Sequence, residues 1–300
     1  MSADPRTVDP RAIDPRVIEA TNAEFQRLLR SGSRCLIMGV LNVTPDSFSD
    51  GGQFDSVPAA FDHAARMLDE GADILDIGGE STRPGAAAVS VDDELDRVIP
   101  VIEKLRAEFA CPLSIDTSKA EVMRAAVAAG ATLINDVRAL RSEDALDTAA
   151  ELGVPVCLMH MQGTPRSMQA APRYGDVTTD VSAFLCERMD ACIAAGIAPA
   201  QLIVDPGFGF GKTLEQNLQL LRNLDKIATL GAPVLVGVSR KSMLGQLLDK
   251  PAGERIHGSV ALGMLARQKG ASILRVHDVA PTVDALSVLD AFSQKGGLDG

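Results

Sequence analysis

The chain has 300 residues, 46% hydrophobic and 23% charged, with a formal net charge of −11 at pH 7. That length and apolar content suit one large α/β domain better than two small ones. The acidic balance excludes a broad basic face for nucleic acid or an anionic membrane, but not a small anionic ligand held by a local Lys/Arg cluster.

The first 20 residues carry Asp-Pro-Arg at 4–6, 9–11 and 14–16. Proline removes an amide donor and disfavours helix in the residue before it, so this stretch reads as a flexible arm. Residues 21–31 read as a short capping helix, giving an arm and cap over 1–30 and the main domain over 31–296. An apolar run at 35–41 then suits a strand buried on both faces. At Asn42 it changes abruptly to Asn, Thr, Pro, Asp, Ser and Gly, a loop composition that presents side chains and backbone donors.

The same change recurs down the chain. Strands are predicted at 35–41, 73–78, 112–116, 131–136, 154–159, 201–205, 233–238 and 272–277. Helical patterns fall at 55–70, 92–109, 119–129, 143–152, 177–195, 213–228, 255–268 and 281–293. Successive strands lie roughly 20 to 45 residues apart, the spacing of βα units whose helices cross over to a parallel neighbour. Eight units predict a single closed (β/α)8 TIM barrel of the α/β class. An open doubly wound sheet competes, but the first strand lacks a GxGxxG turn and an acidic residue at dinucleotide spacing. The five cysteines (Cys35, Cys111, Cys157, Cys186, Cys192) show no CxxC spacing and read as reduced thiols. No early apolar segment and no run of about 18 apolar residues is present, which predicts a cytoplasmic protein without a membrane partner.

In such a barrel, catalytic groups gather at the C-terminal ends of the strands. Those ends carry Asn42, the run 78–85, Asp116-Thr117, Asn135-Asp136, Met159-His160, Asp205-Pro206-Gly207, the run 239–242 and the run 275–278. A purely structural barrel has little reason to end nearly every strand in a polar residue. Arg83, Lys241, Arg275 and His277 suit a phosphate-like group, with Asn42 and Thr82 adding uncharged contacts. Asp116, Asn135 and Asp205 suit a planar ring with N–H and amino donors, since an ionised carboxylate accepts two parallel hydrogen bonds.

Structural readings stand beside these. Asp116 also fits a helix N-cap region, Asp205 and Asn135-Asp136 fit turns, and His277 fits a satisfied core histidine. The run 207–212 (Gly-Phe-Gly-Phe-Gly-Lys) lacks GxxxxGK[ST]; its glycines read as letting backbone approach a flat ligand, with Phe210 as a wall. His63 and His257 lie in helical patterns without metal-ligand spacing, and Glu80 reads equally as a site residue or as the partner of a nearby base.

The segments 39–52, 76–85, 114–117, 134–137, 205–212, 239–242 and 275–278 resemble, in order, the motifs of the dihydropteroate synthase family, the folate-pathway enzymes that sulfonamides inhibit. The likeness runs from about 35 to 293. It implies a transferase that forms a C–N bond between a dihydropterin pyrophosphate and p-aminobenzoate. It implies that Asp116, Asn135, Asp205 and Lys241 grip the pterin ring and that Arg275 lies against it facing the pyrophosphate, with Asp116, Asp205, Lys241 and Arg275 as the catalytic set. Asn42, Thr82 and His277 would bind pyrophosphate, Asn42 also helping to hold Mg²⁺. Asp46, Phe48, Arg83 and Pro84 would close the site over p-aminobenzoate, with Phe210 on its ring and Ser242 near its carboxylate. A homodimer through helices on the far side of the barrel and susceptibility to sulfonamides belong to the same implication.

The residues suit that chemistry independently. Pyrophosphate leaves when Mg²⁺ and cationic side chains take up its charge, and carboxylates stabilise the cation left on an electron-rich ring. An arylamine is already a neutral nucleophile near pH 7, so no Ser-His-Asp or Cys-His arrangement is required. Two related readings remain open. A pterin-barrel methyltransferase using methyltetrahydrofolate is disfavoured by the Thr-Arg-Pro loop, Lys241-Ser242 and the Arg275/His277 pair; a noncatalytic pterin binder is disfavoured by Asp46, Phe48 and Ser242.

Overall fold

The structure, a computed structural model, describes residues 15–44, 56–81, 88–163, 168 and 172–293. Among these residues, eight parallel strands close into a barrel in sequence order: β1 (Leu36–Asn42), β2 (Ile74–Gly78), β3 (Leu113–Asp116), β4 (Leu133–Asp136), β5 (Val156–Met159), β6 (Leu202–Asp205), β7 (Val234–Val236) and β8 (Ala271–Val276). β8 pairs back onto β1, with Leu36 opposite Ile273. This is the closed barrel expected from the strand spacing, and it excludes the open sheet.

Helices α1 (Pro15–Ser31), α2 (Ser56–Asp69), α3 (Val91–Glu108), α4 (Ala120–Ala128), α5 (Ala145–Leu152) and α6 (Val177–Ala194) accompany the first half. They are followed by α7 (Leu214–Arg222), α8 (Leu224–Ala228), α9 (Ser242–Leu248), α10 (Ile256–Gln268) and α11 (Val279–Ser293). Several starts are written locally. Ser90 caps α3 by accepting from the Asp93 amide, ahead of the acidic first turn Asp92-Asp93-Glu94, and Thr213 with Gln216 forms a capping box on α7.

Three differences from the sequence expectation have physical causes. Residues 15–20, read as part of the arm, are the first turns of α1, where Pro15 occupies the first helical position and its missing amide leaves no bond unmade. The segment 213–228 is two helices, because Asn223 (φ −107°, ψ 20°) leaves the helical region. The short α9 was not anticipated: seven residues with Gly245 at their middle show too little periodicity, and the helix instead buries Met243 and Leu244.

Strand parity decides what faces the pore and what faces the helices. Ile37, Leu75, Ile77, Ile115, Ile134, Leu158, Val204 and Leu274 belong to the large apolar cluster shared with the helices. Residues of the other parity, Leu36, Met38, Ile74, Leu133, Cys157, Ile203, Leu235 and Ile273, form a second cluster at the N-terminal end of the pore. Phe25 and Leu29 of α1 complete it. One inward step further along, the pore turns polar: Ile74 gives way to Asp76, Leu133 to Asn135, Ile203 to Asp205 and Ile273 to Arg275. All five cysteines are free, and no described helix is long and apolar enough to cross a membrane.

Phe25 is 6% exposed within that plug. Phe25→Ala is expected to cost about 3 kcal/mol of folding stability, read as a lower urea midpoint. An unchanged midpoint would show that α1 is not part of the core.

Candidate active site

The polar half of the pore is organised around Arg275. From β8 its Nε donates to Asp76 Oδ2 at 2.6 Å and its Nη2 to Asp116 Oδ2 at 2.9 Å. Asp76 Oδ2 also accepts from Asn135 Nδ2 at 3.2 Å. One planar guanidinium and one amide thereby link groups from β2, β3, β4 and β8. Burial opposes the charge on Arg275, but Asp76 and Asp116 together outweigh it and raise its pKa.

Burial lifts the Asp116 carboxyl to about 7; Arg275 works against that rise, and the neighbouring Asp76 adds to it. Asp116 Oδ1 and Asp76 Oδ1 are buried without a hydrogen-bond partner. Each is an acceptor that a ligand N–H can satisfy. Asp116 also borders a cavity of about 750 Å³ that extends past Thr117, Lys119 and Arg138.

Across the pore, Asp205 ends β6. Its Oδ1 accepts from the Gly207 amide at 2.7 Å, and burial raises its pKa while Lys241 pulls it back. Lys241 follows β7, donates to the Phe208 carbonyl and sits 4.5 Å from the centre of the Phe210 ring, a cation–π distance. Burial lowers Lys241 to about 8, with Asp205 opposing. Phe210 in turn packs against Val137, Met159, Met161 and Met168.

Asn42 ends β1 opposite Gly78. A Cβ on Gly78 would lie 3.9 Å from Asn42 Oδ1 and 3.8 Å from Asp116 Oδ2, so both oxygens overlook a glycine that leaves the space between them clear. His277 lies beyond β8, with its amide 3.2 Å and its Nδ1 3.1 Å from Ser239 Oγ. Ser242 is the exposed first residue of α9. The expected site residues Asp46, Phe48, Thr82, Arg83 and Pro84 lie outside the described residues.

Other strand-end groups are drawn away from the pore. Asp136 accepts from Ser118 and from the amides of Arg138 (2.8 Å) and Leu140 (2.7 Å), tying down the turn after β4. Arg240 holds Asp278 in a two-point pair. Glu80 pairs with Lys119, which also reaches the fully buried Glu94, so the basic partner that the structural reading calls for is present. Asp116 is not a cap of α4, whose N-cap position is Lys119.

Besides Glu94, two buried ionisable groups had no role in the sequence reading. Asp76 sits two residues before the end of β2, and its inward parity with Gly78 was the available signal. Lys212 ends the glycine-rich run and is 3% exposed. Among the described residues, no group of three or more His, Cys, Asp or Glu could by itself hold a metal ion.

Residues 38–277 match the sequence pattern of the family described as pterin binding enzyme. The dihydropteroate synthase of Haemophilus influenzae is 55% identical over 269 residues, 88% of this chain and 98% of that protein. The Yersinia pestis dihydropteroate synthase, solved with a sulfonamide drug, superposes with a TM-score of 0.84 at 54% identity, covering 87% of this chain and 95% of the other. The Xanthomonas albilineans dihydropteroate synthase in complex with 7,8-dihydropteroate gives 0.82 at 54% identity, covering 88% and 96%. With barrel, motif order and near-complete coverage in agreement, the chain belongs to the pterin binding enzyme family, among its dihydropteroate synthases.

Proposed function

We propose that the chain condenses 6-hydroxymethyl-7,8-dihydropterin pyrophosphate with p-aminobenzoate, giving 7,8-dihydropteroate and pyrophosphate in folate biosynthesis. The supporting observation is the convergence of Asp76, Asp116, Asn135 and Arg275 in one hydrogen-bonded cluster, faced by Asp205 and Lys241. The unpartnered Oδ1 of Asp116 and the carboxylate of Asp205 accept from the amino and N–H groups of the pterin. Asn135 and Lys241 complete its grip. Phe210 and Ser242 receive p-aminobenzoate.

The C–O bond to pyrophosphate breaks first, leaving positive charge on the methylene carbon and the pterin ring. Asp116 and Asp205 stabilise that charge from positions already desolvated, so little reorganisation is needed. Arg275 and His277 meet the negative charge on the departing pyrophosphate. The neutral arylamine nitrogen then forms the C–N bond and releases its proton to solvent. Positioning and charge stabilisation, without a dedicated general base, account for the rate.

Mg²⁺ fits the donor set. Asn42 Oδ1 overlooks the same open glycine as Asp116 Oδ2. One or two protein oxygens supplemented by phosphate oxygens and water is the coordination Mg²⁺ prefers. Asn42 would hold it, and the ion would supply charge neutralisation at the pyrophosphate.

A homodimer is supported by exposed apolar side chains on the last three helices, Leu247 and Leu248 of α9, Leu265 of α10, and Val288 and Phe292 of α11. Five free cysteines support a cytoplasmic, reducing location. The sulfonamide on the Yersinia pestis relative supports competition between such drugs and p-aminobenzoate here.

In an assay with Mg²⁺, pyrophosphate release and dihydropteroate formation are expected to depend on both substrates, and a sulfonamide to raise the KM for p-aminobenzoate. Tight pterin binding without product would overturn the assignment. Asp116→Asn is expected to lower kcat by about 100-fold or more with little change in urea midpoint. Wild-type turnover in that variant would remove Asp116 from the catalytic set.

The two shifted groups also set a pH profile. Asp116 is protonated below about 7 and Lys241 loses its charge above about 8, so kcat/KM for the pterin substrate should rise through the first value and fall past the second. Asp116→Asn should erase the acid limb of whatever activity remains; an acid limb of unchanged midpoint would assign it to another group.

A further inference from the structure

The loop after β6 holds a buried amine that the reaction above does not use. Lys212 Nζ lies 2.8 Å from the Gly207 carbonyl oxygen, 3.1 Å from that of Phe210 and 3.0 Å from His160 Nδ1. An ammonium has three N–H donors, and these are three acceptors. Nδ1 accepts when His160 carries its proton on Nε2, and burial together with the Lys212 charge pushes that imidazole down to about 3, keeping it neutral. Burying an ammonium is unfavourable unless each N–H is satisfied, and burial pulls Lys212 down to about 7 with Asp205 opposing, so the three donors are complete only while the amine is protonated. Here two of the three acceptors are backbone carbonyls of one turn, so charge and turn geometry depend on each other.

The remaining bonds of the turn show what is held by what. Asp205 Oδ1 takes the Gly207 amide, Asn217 Oδ1 takes the Gly209 amide at 2.8 Å, and Asn217 Nδ2 donates to the Lys212 carbonyl at 3.2 Å. Gly207 has φ +69°, and a Cβ there would fall 1.9 Å from the His160 carbonyl oxygen, so the turn lies hard against β5. Phe208 is fully buried and anchored by packing. Phe210 is only half-buried, and its backbone is fixed by the 3.1 Å bond from its amide to Gly207 and by Lys212.

We propose that Lys212 is a positioning residue for the second substrate, clamping the Gly207 and Phe210 carbonyls so that the Phe210 ring stands as a fixed wall for the aromatic ring of p-aminobenzoate. The proposal rests on the synthase reading given above. Of the pterin contacts, Asp116, Asn135 and Asp205 are strand residues held by the barrel ladder; Asp205 and Lys241 also bond the turn, at the Gly207 amide and the Phe208 carbonyl, but neither bonds the two carbonyls that Lys212 holds. Loss of Lys212 therefore separates the two substrates.

The test uses the full chain with Mg²⁺, measuring steady-state kinetics for p-aminobenzoate and the Kd of dihydropterin pyrophosphate by titration. Lys212→Met keeps the apolar stem and removes all three donors. It is expected to raise the KM for p-aminobenzoate about tenfold or more, with kcat and pterin Kd within about threefold of wild type. His160→Leu should raise that KM to a lesser degree, and His160→Gln, which restores an acceptor, should return it toward wild type. An unchanged KM in Lys212→Met, or an equal loss of affinity for both substrates, overturns the proposal. If Lys212→Met does not fold, the His160 pair decides: equal KM values in the Leu and Gln variants overturn it. A wild-type chain that forms no dihydropteroate defeats the synthase reading instead.

Discussion

The polar half of this barrel depends on one guanidinium. Arg275 reaches Asp76 and Asp116 together, and without it these two buried carboxylates would keep, among the described residues, one direct hydrogen bond, from the Asn135 amide to Asp76. Taken with Asp205, three buried carboxylates face one guanidinium, Arg275, and two amines, Lys241 and Lys212, whose pKa values burial lowers to about 8 and about 7. Such pairs contribute little net stability, because desolvation consumes most of the attraction between them. An apolar filling would hold the barrel at least as well, so the cluster is best understood through the reaction.

Stability is supplied elsewhere. The N-terminal half of the pore is closed by an apolar layer from seven strands and sealed by Phe25 and Leu29 of α1, while the outer parity of the strands packs on the helices. This division lets the C-terminal half carry charges whose pKa values are displaced by the low-dielectric walls around them. Asp116 rises to about 7 and Lys241 falls to about 8 for the same reason, burial, acting on opposite charges. Both therefore titrate near neutrality, where small changes in solvation on ligand binding shift their charge.

In the proposed reaction the two substrates meet different kinds of support. The residues proposed to hold the pterin project from strands whose register is set by the ladder, with Asp116 opposite Asn135 and Met159 opposite Asp205. The wall proposed for p-aminobenzoate stands on a glycine-rich turn, stiffened by Asn217, Asp205 and the buried Lys212. A rigid strand-borne subsite for the ring that develops charge, and a braced loop for the nucleophile, suit a reaction whose first step is ionisation.

Much of this was legible in the chain itself. Apolar runs of strand length followed by polar loops marked all eight strands, and Asn42, Asp116, Asn135, Asp205, Lys241 and Arg275 stood out because each lies at or just beyond a strand end. These are local properties, set by a period of two within a strand and by the change of composition where it stops. What stayed hidden depends on contacts between distant segments. Asp76 sits inside an apolar strand, and its partner Arg275 is 199 residues away. Asn135 and Asp136 are neighbours of similar chemistry, yet parity sends one into the pore and the other to the turn behind it. Lys212 has meaning only beside His160, 52 residues earlier, and the turn they share. Sequence by itself determined which residues are strands and which polar groups lie at their ends; closure of β8 onto β1 decided which of those groups touch, because only the closed ring sets distant side chains at one level of one pore.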